Sequence, residues 1–273
     1  MHSKFARIAA ILVLAVSLLA RVSVAQTAAP TPATLTPASA TSSATNPDAP
    51  LPTTGELLRK FTVAIGEDGP PPRYTTRITK GIYQTEDLSG FATIEMTNKA
   101  PNKSLTKIKF SNGIVLLEVC DGAAAWVEDP AGGMHEITGA ALTSRLYLSR
   151  FNNREETVYA MAKGQVIGTA QVGTHSTYVL AVSPAKELHS KVYFDTATGL
   201  IVRTDDTIRK DGADYTVETY MDDYRPVDGV YYPFKIRHVE QGNVFTVRVT
   251  QIKKDPPVDD SIFTRPQVGG SRP

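Results

Sequence analysis

The sequence has one cysteine, Cys120, and one tryptophan, Trp126, among 273 residues. With a single cysteine no intramolecular disulfide can form, so the core must hold by packing alone. Cys120 ends the apolar run IVLLEVC, a setting that suits a small buried hydrophobe and not a reactive thiol. An excess of charge is lacking too: 29 basic residues stand against 28 acidic ones, which excludes the basic footprint of a nucleic-acid binder. There is no GxSxG, no HExxH and no glycine-rich phosphate loop. The five histidines are scattered without metal-ligand spacing. The acidic pairs Asp205-Asp206, Asp222-Asp223 and Asp259-Asp260 are adjacent, so on a strand each pair points to opposite faces. The sequence therefore predicts no catalytic residue, no metal and no cofactor.

The first 25 residues read as a secretory signal peptide. MHSKFAR is short and basic, Ile8 to Ala20 is apolar, and Ser23, Val24 and Ala25 are small, which places cleavage after Ala25. The apolar run falls short of the ~20 residues a spanning helix needs. Without Lys4, Arg7 and Arg21 the mature chain has 26 basic and 28 acidic residues. No cysteine follows the cleavage site to carry a lipid. The expected location is the periplasm, or the medium if the chain is secreted.

Residues 26–52, with six prolines and Asp48 as the one charge, cannot bury enough apolar surface to order themselves and are expected to be a linker. The domain then runs over 53–266, with a tail at 267–273. It opens on a helix: Thr53 and Glu56 have capping-box spacing, and Leu57, Leu58, Phe61 and Ile65 share a face ahead of Gly66. Beyond it, period-two segments alternate with the turn signals Asn112-Gly113, Asp195 to Gly199, Asp228-Gly229 and Gly242-Asn243. Strands joined by such turns form an antiparallel meander and not a βαβ fold. The one interruption, residues 134–153, has the spacing of a second helix, with Leu142, Leu146 and Phe151 on its apolar side. Pro233 marks an edge or bulge, since it cannot donate to a ladder.

The later strands have a dry face (Val192, Phe194, Leu200, Val202, Val217, Met221, Phe234, Ile236, Phe245, Val247, Val249) and a wet one (Lys191, Asp195, Arg203, Asp205, Glu218, Lys235, Arg237). The predicted fold is mainly β with a few helices. A curved antiparallel meander forms an incomplete, half-open barrel, with helices covering its concave apolar face. Such a face is either a filled core or a ligand pocket.

Five stretches resemble the LolA-like superfamily of outer-membrane lipoprotein-sorting proteins: GELLRKFTVAIG, NKAPNKSLTKIKF, DGAAAWVEDP, VYFDTATGLIVRTD and VETYMDDYRPVDGVYYPFKIRH. The resemblance covers residues 53 to 265 and rests on structural, not catalytic, residues. It implies a cavity that takes the acyl chains of a lipid or lipoprotein, in a carrier that is not an enzyme. The expected walls are Phe110, Leu116, Trp126, Leu142, Leu146, Phe194, Phe234 and Phe245. The expected partners are a lipid or acylated protein, with envelope proteins or the outer-membrane surface, and no nucleic acid. The alternative is a non-catalytic envelope interaction or scaffold module whose core is filled.

Overall fold

The computed structural model describes residues 50–66, 74–85, 91–129, 133–151, 158, 161–185, 188–210 and 213–265. The expected signal peptide, all but the last residues of the linker and the tail lie outside them. Helix α1 (Thr54–Ala64) precedes six strands: β1 (Thr76–Thr85), β2 (Ala92–Lys99), β3 (Lys103–Phe110), β4 (Val115–Cys120), β5 (Ala125–Asp129) and β6 (Gly133–Ile137). Helix α2 (Gly139–Ser149) follows. The chain then forms β7 (Gln165–Val172), β8 (His175–Ala185), β9 (Leu188–Asp195), β10 (Ile201–Lys210), β11 (Ala213–Val227), β12 (Val230–Glu240) and β13 (Asn243–Lys254), and closes with a 3-10 turn, Asp260–Phe263.

The strands form one antiparallel, open sheet in the order β6-β5-β4-β3-β2-β1-β13-β12-β11-β10-β9-β8-β7. Every pair of neighbours is consecutive in sequence except β1 and β13. At that seam the register slips between Lys80 and Gly81, where a Cβ on Gly81 would meet the Arg248 carbonyl oxygen at 2.6 Å. Glycine is required there because two backbones approach too closely for a side chain.

The hairpin turns form largely where the dipeptides put them. Asp228 and Gly229 have φ of 50° and 80°, the paired positive angles of a tight hairpin. Between β12 and β13 the turn is Gln241-Gly242, one residue earlier than expected, with φ of 46° and 80°. Asn243 instead opens β13, opposite Glu240. Pro233 lies in the half of β12 that extends beyond its pairing with β13, which spans Lys235 to Glu240, so β12 is locally an edge there.

Two expectations are corrected. Residues 134–137 are not helical but form the edge strand β6, pairing Met134 with Glu128 and Ile137 with Ala125. Gly139, at φ 62°, turns the chain into α2. Within β10 the register against β9 slips between Ile201 and Arg203. Ile201 therefore faces the α1 side, whereas Val202 joins Val172, Val179 and Tyr193 on the other face. That second face is consequently not uniformly wet.

Candidate functional site

Both helices lie on the same face of the sheet, over its two flanks. The capping box forms as the spacing predicts, with the Thr53 side chain accepting from the Glu56 amide and Glu56 reaching back to the Thr53 amide. Leu57 and Leu58 enter a cluster with Leu180, Val192, Phe194 and Ile201. Each buried leucine contributes about 1.5–3 kcal/mol. Phe61 meets the Phe194 ring edge-on, 5.7 Å between centroids.

The loop from Asp195 to Gly199 does more than reverse the chain. Lys60 Nζ donates to the Thr196 carbonyl at 2.5 Å, and the Tyr231 amide donates to the Ile65 carbonyl at 2.9 Å, so two hairpin turns anchor α1. Asp195 organises its turn by accepting from the amides of Ala197 (3.0 Å) and Thr198 (2.6 Å), with His175 Nδ1 2.8 Å from its other oxygen. Burial pushes this carboxyl up, but the Thr198 and His175 hydrogen bonds outweigh it and hold it below the usual range. Gly199 has φ 79°, and a Cβ there would meet Lys60 Cγ at 2.7 Å and the Lys60 carbonyl oxygen at 3.2 Å. Gly199→Ala is expected to cost roughly 1–3 kcal/mol in urea unfolding, from the positive φ and the displaced helix together. Lys60→Ala should recover only the side-chain part of that loss, because the backbone contact stays.

On the other flank, α2 packs Ala141 against Cys120, Ala125, Val127 and Ile137, with Leu142 and Leu146 partly buried beside them. Cys120 is fully buried, as its apolar run predicts. The same helix sends a charge into the interior. The Arg145 guanidinium pairs with the Glu118 carboxylate of β4, the two side chains being 6% and 2% exposed. Arg145 Nη2 also donates to Ser104 Oγ (2.9 Å), which is 3.0 Å from Ser149 Oγ, and Ser149 donates to the Arg145 carbonyl at 2.7 Å.

Between the flanks lies a third cluster: Tyr83, Ala92, Ile94, Ile108, Phe110, Leu116, Phe234, Phe245, Val247 and Val249. Among the described residues, neither helix contributes to it. It gathers four of the expected wall residues, Phe110, Leu116, Phe234 and Phe245, while Phe194 belongs to the α1 cluster and Leu142 and Leu146 to the α2 cluster. Trp126 stands on the opposite face. Ala125 and Val127 turn toward α2, so the residue between them turns away, in register with Val119 and Leu105. The closing 3-10 turn lies against β3 with Phe263 only 1% exposed.

The helix-bearing face also carries a polar patch that composition and motifs did not reveal. Asp205 and Asp206 part as adjacent strand residues must: Asp205 binds Arg203 on the outer face, and Asp206 accepts from Ser190 Oγ at 2.5 Å on the inner one. Desolvation holds the Asp206 carboxyl above its usual range. On β12, His238 stacks on Phe245 (4.5 Å) and lies 2.9 Å from Thr219 Oγ1, and burial lowers its pKa to about 4. Glu240 is 5% exposed, its Oε1 is buried without a hydrogen-bond partner, and burial raises its pKa to about 7. The signal for these residues was present in KIRHVE, where His238 and Glu240 are in phase with the inward Ile236.

The outer face carries an alternating ladder across β9 to β12, Tyr193, Arg203, Tyr220 and Arg237, paired strand to strand. The Arg203 guanidinium lies 5.2 Å from the Tyr193 ring centroid and 5.1 Å from that of Tyr220. Burial and the hydrogen bond to Asp205 push the Tyr193 hydroxyl up to about 12. Nearby is an open, mainly polar depression of about 720 Å³, lined in part by Lys163, Gln165, His189, Lys191 and Asp205. Among the described residues, no three histidines, cysteines or acids gather to hold a metal ion, and no helix is long and apolar enough to cross a membrane.

An outer membrane lipoprotein-sorting protein domain, so described, from Vibrio parahaemolyticus superposes on 76% of this chain and 94% of its own, with a TM-score of 0.50 at 11% identity. The two chains share a fold. A LolA superfamily protein from Nitrosomonas europaea matches 79% of this chain and 99% of its own at 14% identity and TM-score 0.49. A DUF1329 family protein from Desulfovibrio piger matches 77% and 95% at 15% identity and TM-score 0.48. No family model and no curated protein matches the sequence. The likeness is one of architecture, and the described residues of the two helices pack on the flanks of the sheet.

Proposed function

We propose that this chain is an exported carrier that holds the acyl chain of a lipid or acylated protein against the helix-bearing face of its LolA-like sheet, without a covalent step. The observation that carries this reading is the middle cluster. The ten buried apolar residues described there all come from strands, while the described residues of each helix join a cluster of their own. Phe110, Leu116, Phe234 and Phe245 are its proposed walls. Leu142, Leu146 and Phe194 border it from the flanks, and Trp126 has no part in it. Each methylene buried along this surface contributes ~0.8 kcal/mol, so part of an acyl chain suffices for binding.

The test is native mass spectrometry of the protein purified from a bacterial periplasm, followed by organic extraction. A bound lipid or acylated peptide at defined stoichiometry is the expected result. A clean apo mass that also takes up no fluorescent fatty acid would sink the reading. It would favour an envelope interaction module, for which the polar depression on the outer face is the surface to probe.

A further inference from the structure

We infer that the polar patch at the β12–β13 end of the inner face receives the head of an amphiphile bearing a primary ammonium, with Glu240 as its acceptor. The inference rests on the carrier reading above and names the class of ligand.

Glu240 is the residue that asks for a ligand. It is 5% exposed, yet its Oε1 has no hydrogen-bond partner. A buried acceptor left unmade is costly, and nothing in the fold requires a carboxylate on this strand face. Among the described residues, its surroundings lack the usual remedy. Reading across the sheet, the described inner residues beside it are Asn243, Val217, Asp206, Ser190 and Val182 in its own row. The next row holds Phe245, His238, Thr219, Thr204, Val192 and Leu180. Two carboxyls therefore share this region with no lysine or arginine in either row, whereas Lys191, Arg203 and Arg237 all belong to the opposite face. A second acid, Asp206, is satisfied by Ser190 at 2.5 Å and Thr204 at 3.3 Å, which leaves Glu240 as the open acceptor.

The neighbours suit an ammonium. His238 and Phe245 present stacked rings 4.5 Å apart two residue pairs along the ladder from Glu240, on the same face, and the Tyr83 ring lies 5.4 Å from that of Phe245. Ring faces attract cations, most strongly where water is excluded. An anionic head would meet two carboxyls, and a neutral polyol would bring no positive charge to pair with Glu240. The apolar middle cluster, to which Phe245 and Tyr83 belong, continues from this patch and offers the attached chain its path.

The test measures binding of dodecylammonium, dodecanoate, dodecanol and butylammonium at neutral pH by calorimetry, on delipidated wild type and on Glu240→Gln. The wild type should prefer dodecylammonium over dodecanol by about tenfold or more, the scale of one charge-assisted hydrogen bond. That preference should collapse toward unity in Glu240→Gln. If the wild type binds all three dodecyl probes alike, the inference fails and the carrier reading stands. If none binds, both fall. A preference that survives in Glu240→Gln overturns the assignment to this residue. Butylammonium binding as tightly as dodecylammonium would make the patch a free-amine site and overturn the amphiphile.

Discussion

Replacing Glu118 with glutamine should destabilise the protein by about 3–5 kcal/mol, the range seen when one partner of a buried ion pair is removed. The Arg145 guanidinium is 6% exposed and reaches its position from α2, so it cannot swing into water without pulling the helix off β4 and β5. Glutamine keeps the shape and supplies one acceptor, but leaves a full charge in the interior. The double variant Glu118→Leu/Arg145→Met should recover most of the loss, because apolar replacement of both partners removes the desolvation cost with the attraction. Ser104 and Ser149 would still satisfy one another at 3.0 Å. Urea denaturation of the single and double variants checks this. A single variant as stable as the double would show that Arg145 finds another partner.

The second large effect is on pH dependence. His238, lowered by burial from 6.5 to about 4, stays neutral when folded but takes a proton when unfolded, so its contribution grows as pH rises from 4 to 6.5. Glu240, raised by burial from 4.5 to about 7, behaves oppositely: its contribution is full below 4.5 and is lost as pH rises to 7. Each spans on the order of 2 to 3 kcal/mol, at 1.36 kcal/mol per unit and allowing for partial solvent contact. Asp206, also raised, acts in the same direction as Glu240. In the wild type the two slopes largely cancel between pH 4.5 and 6.5. Glu240→Gln should uncover the histidine slope, with stability rising across that interval, and should exceed the wild type at pH 8. His238→Gln should show the reverse slope. Thermal unfolding of the three proteins at unit pH steps measures both, and parallel profiles for all three would refute the assignment.

Much of the architecture was legible because alternation and turn chemistry are local. The capping box at Thr53 and the dipeptide Asp228-Gly229 specify their geometry within a few residues. What escaped was set by distant pairing. The register slip at Ile201 to Arg203 reversed the side on which Val202 lies, and only the partner strand β9 defines it. Met134 to Ile137 were drawn into the α2 pattern because a short edge strand is hard to separate from a helical flank; their pairing with β5 decides the matter. Trp126 can be core or wall by residue type, and the alternation with Ala125 and Val127 turns it to the other face. Glu240 belongs to no motif, and only its phase with Ile236 and His238 marks it as inward.

The seam between β1 and β13 has a bearing on how the chain assembles. Every other pairing joins consecutive strands, so β1 to β6 and β7 to β13 are each a run of short loops that close at little entropic cost. Uniting them means bringing together segments such as Lys80 and Gln251 from far apart along the polypeptide. Contacts of that separation slow folding, because the loss of chain freedom precedes any gain from pairing. The zipping of one pair of strands, past a glycine that admits no side chain, turns two meanders into one sheet and completes the middle cluster, which takes Tyr83 and Ile108 from one and Phe234 and Phe245 from the other.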